Sequence, residues 1–413
     1  MKKIRFGVFG VGRGGQLVEA IFEAGAELVA ICDQRQATID ACKKAHPICK
    51  DVAEFTDFEE FIRQDLDAVL LCNYFCDHTE YAIKCMRAGK HVLSETMSNV
   101  TMAEGVALCR AVEETGMTYA LFENYPNFVQ NLEMKKLYSS GELGHIVYGE
   151  GEYAHPIRGR LQNMLAPGEK HWRNRMPRAY YVTHTVAPLM FITDSMPTRV
   201  TAMTAFQPES TKGTASLVAD AANIILCETD TNAIFRMTSW GGYFPLRNHF
   251  RICCTEGGAD TEQFTGKMQV VYNPECIPEG RSEKNEYTAE WPDNEQGRIA
   301  AGKIGNGGAD FFTVYDFVKN LEEGTEPYWN VYRATATASV GILAWRSILE
   351  GKTYDIPDFR KEEDRIKYEN DDLTPFPDED GNTTLPSASR PYTPSAEDID
   401  TARKQWIEMG YNV

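Results

Sequence analysis

Basic residues are scarce in this 413-residue chain: 42 lysines and arginines stand against 60 aspartates and glutamates, for a formal net charge of −18. So acidic a chain repels polyanions, and nucleic acid is not an expected partner. The densest basic run is only Arg173, Arg175 and Arg178. Cysteine pairing is missing too. The 11 cysteines are odd in number and scattered, and neither Cys253-Cys254 nor Cys72 with Cys76 has metal-type spacing. No His/Cys/Asp cluster has it either, so no metal is expected and reduced thiols are the default. No apolar run is long enough to span a bilayer, and the N-terminus enters a strand at once instead of a signal-type apolar core. The expected location is the cytoplasm, with no membrane partner. There is no internal repeat, and length alone suggests about two domains.

What is present begins at the first residues. A short apolar strand (Ile4, Phe6, Val8) leads into Gly10-Val11-Gly12-Arg13-Gly14-Gly15, which satisfies G-x-G-x-x-G with Gly10, Gly12 and Gly15. Glycine is needed there because the chain must turn tightly, admit a pyrophosphate to its backbone and pack the next helix on the sheet. A helical stretch from Leu17 to Ala24 and a second strand, Glu27 to Cys32, follow. Asp33 then stands about 20 residues beyond the glycines, where a carboxylate binds the adenosine ribose 2′-hydroxyl. Strand, glycines, helix, strand and acid in this order point to NAD. Arg13 and Arg35 flank the fingerprint and are candidates to reach phosphate or stack on adenine. Arg35 leaves NADP open, whereas Asp33 would repel its 2′-phosphate.

Strand and helix keep alternating as far as Phe122, with strands at Asp67–Cys72, Lys90–Ser94 and Met117–Phe122 and helices at Thr79–Ala88 and Thr101–Gly116. This repetition predicts an α/β Rossmann domain, a doubly wound parallel sheet, over residues 1–123. After a helix near Asn127–Ser140 comes a run of strand-like segments between Ile146 and Tyr272, and a long helix, Tyr332–Glu350. Residues 124–360 are therefore expected to form a C-terminal α+β domain with a largely antiparallel open sheet, for substrate and oligomerisation. Residues 361–413 read as an acidic, proline-rich strap with a short helix. One sheet face left over suggests a homo-oligomer, a dimer or tetramer, by fold-level analogy.

The segment Cys72-Asn73-Tyr74-Phe75-Cys76-Asp77-His78, with Ala88-Gly89-Lys90-His91-Val92-Leu93-Ser94-Glu95, resembles the third to fifth strands of the Gfo/Idh/MocA oxidoreductases. That family usually has Glu-Lys-Pro where this chain has Glu95-Thr96-Met97, and an Asp four residues before a His where Tyr180 precedes His184. Three later blocks, Gly149 to His155, His171-Trp172-Arg173 and Tyr181 to Pro188, resemble the NAD-dependent glycoside hydrolases of family 109. Gly307 to Phe311 and Ile356 to Phe359 match further motifs of that branch. The branch also lacks the lysine, although it usually carries Val-Pro where Thr96-Met97 stands.

The resemblance implies NAD, a sugar or glycoside substrate and an unusual glycosidase route. The sugar C3 hydroxyl is oxidised by hydride transfer, the ketone acidifies the C2 proton, the C1 substituent is eliminated, and water addition and hydride return complete the cycle. Such a route needs a hydride acceptor and proton-transfer groups instead of two carboxylates. Tyr181 and His184, three apart, share a face if helical. His184 is the candidate to take the C3-hydroxyl proton and Tyr181 the base at C2. His155, at a strand end, and Glu123, at the carboxyl end of a parallel strand, are further acid/base candidates. Glu95 is a candidate ribose ligand or a structural ion pair, Asn73 lines the cofactor loop, His78 binds or caps the next helix, and Trp172 stacks on nicotinamide or sugar or packs in the core. Two other readings stay open, a conventional NAD-dependent sugar or inositol dehydrogenase and a non-catalytic NAD-binding sensor.

Overall fold

The structure is a computed structural model that describes residues 3–243, 245–262, 265–302, 304–378 and 380–411. The chain forms two compact units. One comprises Met1–Leu132, Ala289–Ala336 and Asp358–Asn370, the other Glu133–Thr288, Thr337–Pro357 and Asp371–Val413. Boundaries at 123 and 360 follow the chain, whereas the units are discontinuous, because downstream helices complete the first one.

The first unit carries six parallel strands, β1 (Arg5–Phe9), β2 (Glu27–Cys32), β3 (Ala53–Phe55), β4 (Ala68–Leu71), β5 (His91–Glu95) and β6 (Tyr119–Phe122). Their order is β3-β2-β1-β4-β5-β6, the doubly wound order of a Rossmann sheet. Helices cover both faces, so the inner strands are largely apolar, and β4 and β6 are buried at every residue, whereas the edge strand β3 (Ala-Glu-Phe) is mostly exposed. Helix Met102–Thr115 starts at a capping box, in which Thr101 and Glu104 satisfy each other's backbone N–H, and stops at left-handed Gly116. Helix Ala309–Glu323 packs on helix Val18–Glu23 and sends Phe311, Val314 and Phe317 into the core beside Phe6 and Val8.

The second unit is built on nine strands: β7 (Ile146–His155), β8 (Pro197–Phe206), β9 (Asp220–Thr229), β10 (Ile234–Gly241), β11 (Arg247–Cys254), β12 (Gly257–Thr261), β13 (Met268–Tyr272), β14 (Lys284–Tyr287) and β15 (Tyr354–Asp355). They run in the order β14-β13-β12-β11-β7-β10-β9-β8-β15. The β7–β10 pair is parallel and the others are antiparallel, which makes the sheet mixed but mostly antiparallel. Helix Thr183–Thr193 is buried at ten of its residues and lies on one face of this sheet. It can come close because β7 presents Gly149 and Gly151 there. A methyl on Gly151 would stand 2.5 Å from the Thr185 carbonyl oxygen.

The tail runs along the second unit. Ser389 donates from its N–H and its hydroxyl to the Asp220 carboxylate (2.7 and 2.5 Å). The final helix, Ala396–Glu408, buries Trp406, whose indole N–H donates to Asn163 O at 2.8 Å. Among the described residues no helix is long and apolar enough to cross a membrane.

Candidate functional site

In the first unit the glycine turn has the shape that a dinucleotide requires. Gly10 sits at φ +88°, and a Cβ there would lie 2.4 Å from the backbone of Cys72 and Asn73. Only glycine fits that turn. Its N–H donates to Cys32 O (2.9 Å), which ties the turn to the end of β2, next to Asp33. At Gly12 an added Cβ would meet nothing nearer than a Thr38 methyl at 3.9 Å, so a pyrophosphate can approach the backbone closely. Asp33 Oδ1 accepts from Arg35 N–H (3.1 Å) at the start of helix Gln36–Ala45. These residues fit NAD.

The other expected cofactor residues have mixed placements. Arg13 turns toward carboxylates: its Nε donates to Glu95 (3.1 Å) and its terminal nitrogens to Asp310 (3.2 Å). Burial opposes the Arg13 charge, but Glu95 and Asp310 outweigh it and raise the guanidinium pKa. The fully buried Asp310 also accepts from Asn124 (2.6 Å) and Asn306 (3.1 Å). Its part in this network has no local sequence signal, since Arg13 and Asp310 are 297 positions apart. His78 is buried between two carbonyls, with Nδ1 3.0 Å from Met97 O and Nε2 3.2 Å from Asn73 O, and so braces the loops after β4 and β5. Asn73 itself reaches Tyr74 O at 3.5 Å. Glu123, fully buried at the end of β6, accepts from the Thr96 hydroxyl (3.2 Å) and Tyr125 N–H (3.4 Å).

In the second unit the expected catalytic groups come together. Tyr181 belongs to the 3-10 turn Arg178–Val182 and His184 to the first turn of helix Thr183–Thr193, with ring centroids 5.0 Å apart. Tyr153 of β7 completes the cluster, 5.0 Å from His184, 5.8 Å from Tyr181 and 5.9 Å from His155. Sequence reading passed over Tyr153. Strand alternation placed it on a face but not against the turn that follows. Tyr180 points elsewhere, fully buried and edge-on to Phe376.

Tyr153, His155 and Tyr181 line a cavity together with Arg173, Arg178, Gln162, Ser239 and Trp240. Trp172 is not among the residues lining it; its ring stacks on His171 and lies under the Arg173 guanidinium (4.4 Å). Burial lowers the His155 pKa, and the Arg173, His184 and Arg178 charges lower it further. Burial also pulls Arg178 down to about 10, against the Tyr153 and Asp220 charges, so it remains a cation at neutral pH. Among the described residues no cluster of His, Cys, Asp and Glu could hold a metal ion.

Comparison with known proteins decides the family. The description "Oxidoreductase family, NAD-binding Rossmann fold" matches residues 4–123, and "GFO/IDH/MocA C-terminal domain" matches residues 131–260. The chain belongs to the Gfo/Idh/MocA oxidoreductase family. Its cofactor is NAD. A third description, "Glycosyl hydrolase 109, C-terminal domain", matches residues 245–365 of this Gfo/Idh/MocA chain. A glycosyl hydrolase family 109 protein of Solibacter usitatus is 25% identical over 87% of this chain and 88% of its own. An alpha-N-acetylgalactosaminidase of Shewanella oneidensis is 27% identical over 46% of this chain and 44% of its own. Among solved structures, a levoglucosan dehydrogenase in complex with NADH and levoglucosan superposes with a TM-score of 0.71 at 18% identity, over 86% of this chain and all of that one. An oxidoreductase from Agrobacterium radiobacter gives 0.68 at 16% identity, over 86% of this chain and 99% of that one.

Proposed function

We propose that this chain is an NAD-dependent sugar-active enzyme that oxidises a pyranose C3 hydroxyl and cleaves the glycosidic bond by elimination and water addition. The observation that carries the reading is the Tyr153–His155–Tyr181–His184 cluster at the mouth of β7. Tyr153, His155 and Tyr181 of this cluster line the cavity, His184 packs against Tyr153 and Tyr181, and the described lining residues include no carboxylate pair. A hydrolase working through an oxocarbenium ion needs two carboxylates flanking the bond. A carbanion route instead needs positioned proton acceptors, which tyrosine and histidine supply.

Bound NAD supplies the hydride acceptor, through Gly10, Gly12, Gly15 and Asp33. In this reading His184 accepts the C3-hydroxyl proton, and Tyr181 removes the C2 proton once C3 is a ketone. Burial and its cationic neighbours disfavour the protonated form of His155, so in this reading it accepts a proton or orients the water that adds to the sugar. The glycosidase names among the relatives support bond cleavage, and the sugar dehydrogenase fold supports oxidation at a ring carbon.

The test is turnover of a panel of nitrophenyl glycosides in D₂O. Deuterium on C2 of the released sugar, none on C3 and no net accumulation of NADH are the expected results. An unlabelled C2, together with no isotope effect from a C2-deuterated substrate, would overturn the elimination. Stoichiometric NADH without aglycone release would make the chain a conventional sugar dehydrogenase, and no response to any sugar would favour a non-catalytic NAD sensor.

A further inference from the structure

We infer that the cavity accepts a glycoside bearing an anionic oxygen group, a carboxylate or a sulfate ester, with Arg178 and Arg173 as its counter-charges. This rests on the reading of the cavity as the sugar site. Both arginines line it beside His155, and no aspartate or glutamate is among its described lining residues. The chain as a whole carries −18, so a cavity lined by two cations and no carboxylate runs against its overall charge.

Arg178 is built into place. Its Nε donates to the backbone oxygen of Asp220 at 2.9 Å, which fixes the guanidinium plane and leaves the two terminal nitrogens for other partners. The guanidinium lies over Gly241, at the end of β10 in register with His155. A methyl on Gly241 would stand 1.9 Å from the nearer terminal nitrogen, so the absence of a side chain there makes the room. Asp220 is the acid that acts on Arg178 through space, yet its carboxylate oxygens are held by Ser389. Arg173 is stacked over Trp172 and faces Tyr181 at 5.7 Å, and its Nε is buried with no hydrogen-bond partner among the described residues. A half-buried cation without a carboxylate in contact is costly, and a ligand anion offsets that cost. The planar fork of guanidinium matches carboxylate and sulfate oxygens in pairs.

Calorimetric titration of the NAD-loaded full chain tests this with three probes: a methyl glucuronide, a sulfated methyl glycoside and the uncharged methyl glucoside. At least one charged probe is expected to bind about 10- to 100-fold more tightly than the uncharged one, the scale of a charge-assisted hydrogen bond. Which of the two does so identifies the group as carboxylate or sulfate. Arg178→Gln should abolish that preference, so that the charged and uncharged probes bind within about twofold of one another. Gly241→Ala keeps every charge but pushes the guanidinium aside. It should reduce the preference as well, and it serves as the second variant if Arg178→Gln fails to fold. Equal or tighter binding of the uncharged probe overturns the inference, as does a charge preference that survives both variants. Charged glycosides that bind with this dependence but release no aglycone would leave the inference standing and sink the glycosidase reading. Cleavage of neutral nitrophenyl glycosides by a protein that binds no charged sugar would do the reverse.

Discussion

His184 and Tyr181 offer the sharpest tests at the scale of single residues, because their rings meet at 5.0 Å, Tyr181 lines the cavity and neither belongs to the nucleotide turn. His184→Ala and Tyr181→Phe are each expected to lower turnover by about 100-fold or more, the usual scale for a lost general acid or base. NAD should remain bound, as judged by fluorescence titration. His155 carries a pH prediction. Its pKa in the folded protein lies below the ordinary value of 6.5, because of burial and the Arg173, His184 and Arg178 charges. As pH falls below about 6.5 the unfolded chain takes up a proton that folded His155 refuses, so this group's contribution to stability declines with acidification. Thermal unfolding between pH 7.5 and 5 should show a smaller loss of Tm in His155→Gln than in the parent protein. Equal losses would mean that His155 is not desolvated. Asp33→Ser should narrow the preference for NAD over NADP, measured by titrating both cofactors; equal or tighter NADP binding by the parent protein would defeat the assignment.

Among the elements, β7 and helix Thr183–Thr193 set the position of the aromatic cluster. The helix rests against Gly149 and Gly151, so its first turn, with His184, is placed by a floor without side chains. Gly151→Ala should therefore cost about 1–3 kcal/mol, the range for forcing a methyl into a packed contact, and lower Tm in calorimetry. It should also reduce kcat, because the helix must lift and carry His184 with it. The same elements show what the sequence could and could not reveal. Five of the six Rossmann strands were legible because a parallel strand buried on both faces reads as an apolar run, and helix Met102–Thr115 because Thr101 and Gly116 mark its ends; the short, exposed edge strand β3 carries no such run. Tyr181 and His184 were expected on one helix. They are neighbours across a 3-10 turn instead, since one turn of either geometry brings residues three apart to the same side. Asp310, Tyr153 and Arg178 were not legible as site residues. Tyr153 and Asp310 lie in the blocks Gly149–His155 and Gly307–Phe311 and Arg178 in the basic run, but which of their residues meet Arg13, His184 and Gly241 depends on contacts remote in sequence.

For the whole molecule, the nine-stranded sheet has one face covered by helix Thr183–Thr193 and the other open. Pairing register puts Met203, Ile224, Leu226, Ile234 and Val271 on the open face, with Tyr148 and Cys253 between them. Met203 is 79% exposed, Ile224 49% and Ile234 48%. Contiguous apolar surface of this kind is uncommon on monomers and is usually buried in assembly. On the same face Glu150 draws in Arg236 (3.1 Å) and Arg251 (2.5 Å), so the apolar patch has a charged neighbour that can fix register between copies. A second copy of the chain, meeting this face with its own in an isologous pair, is the expected occupant. Sedimentation velocity should then report a dimer or a tetramer at micromolar concentration, and Met203→Glu combined with Ile224→Lys should yield monomers that keep the fold. A parent protein that sediments as a monomer across that range would refute the pairing, and the open face would then have to be covered by something other than this chain.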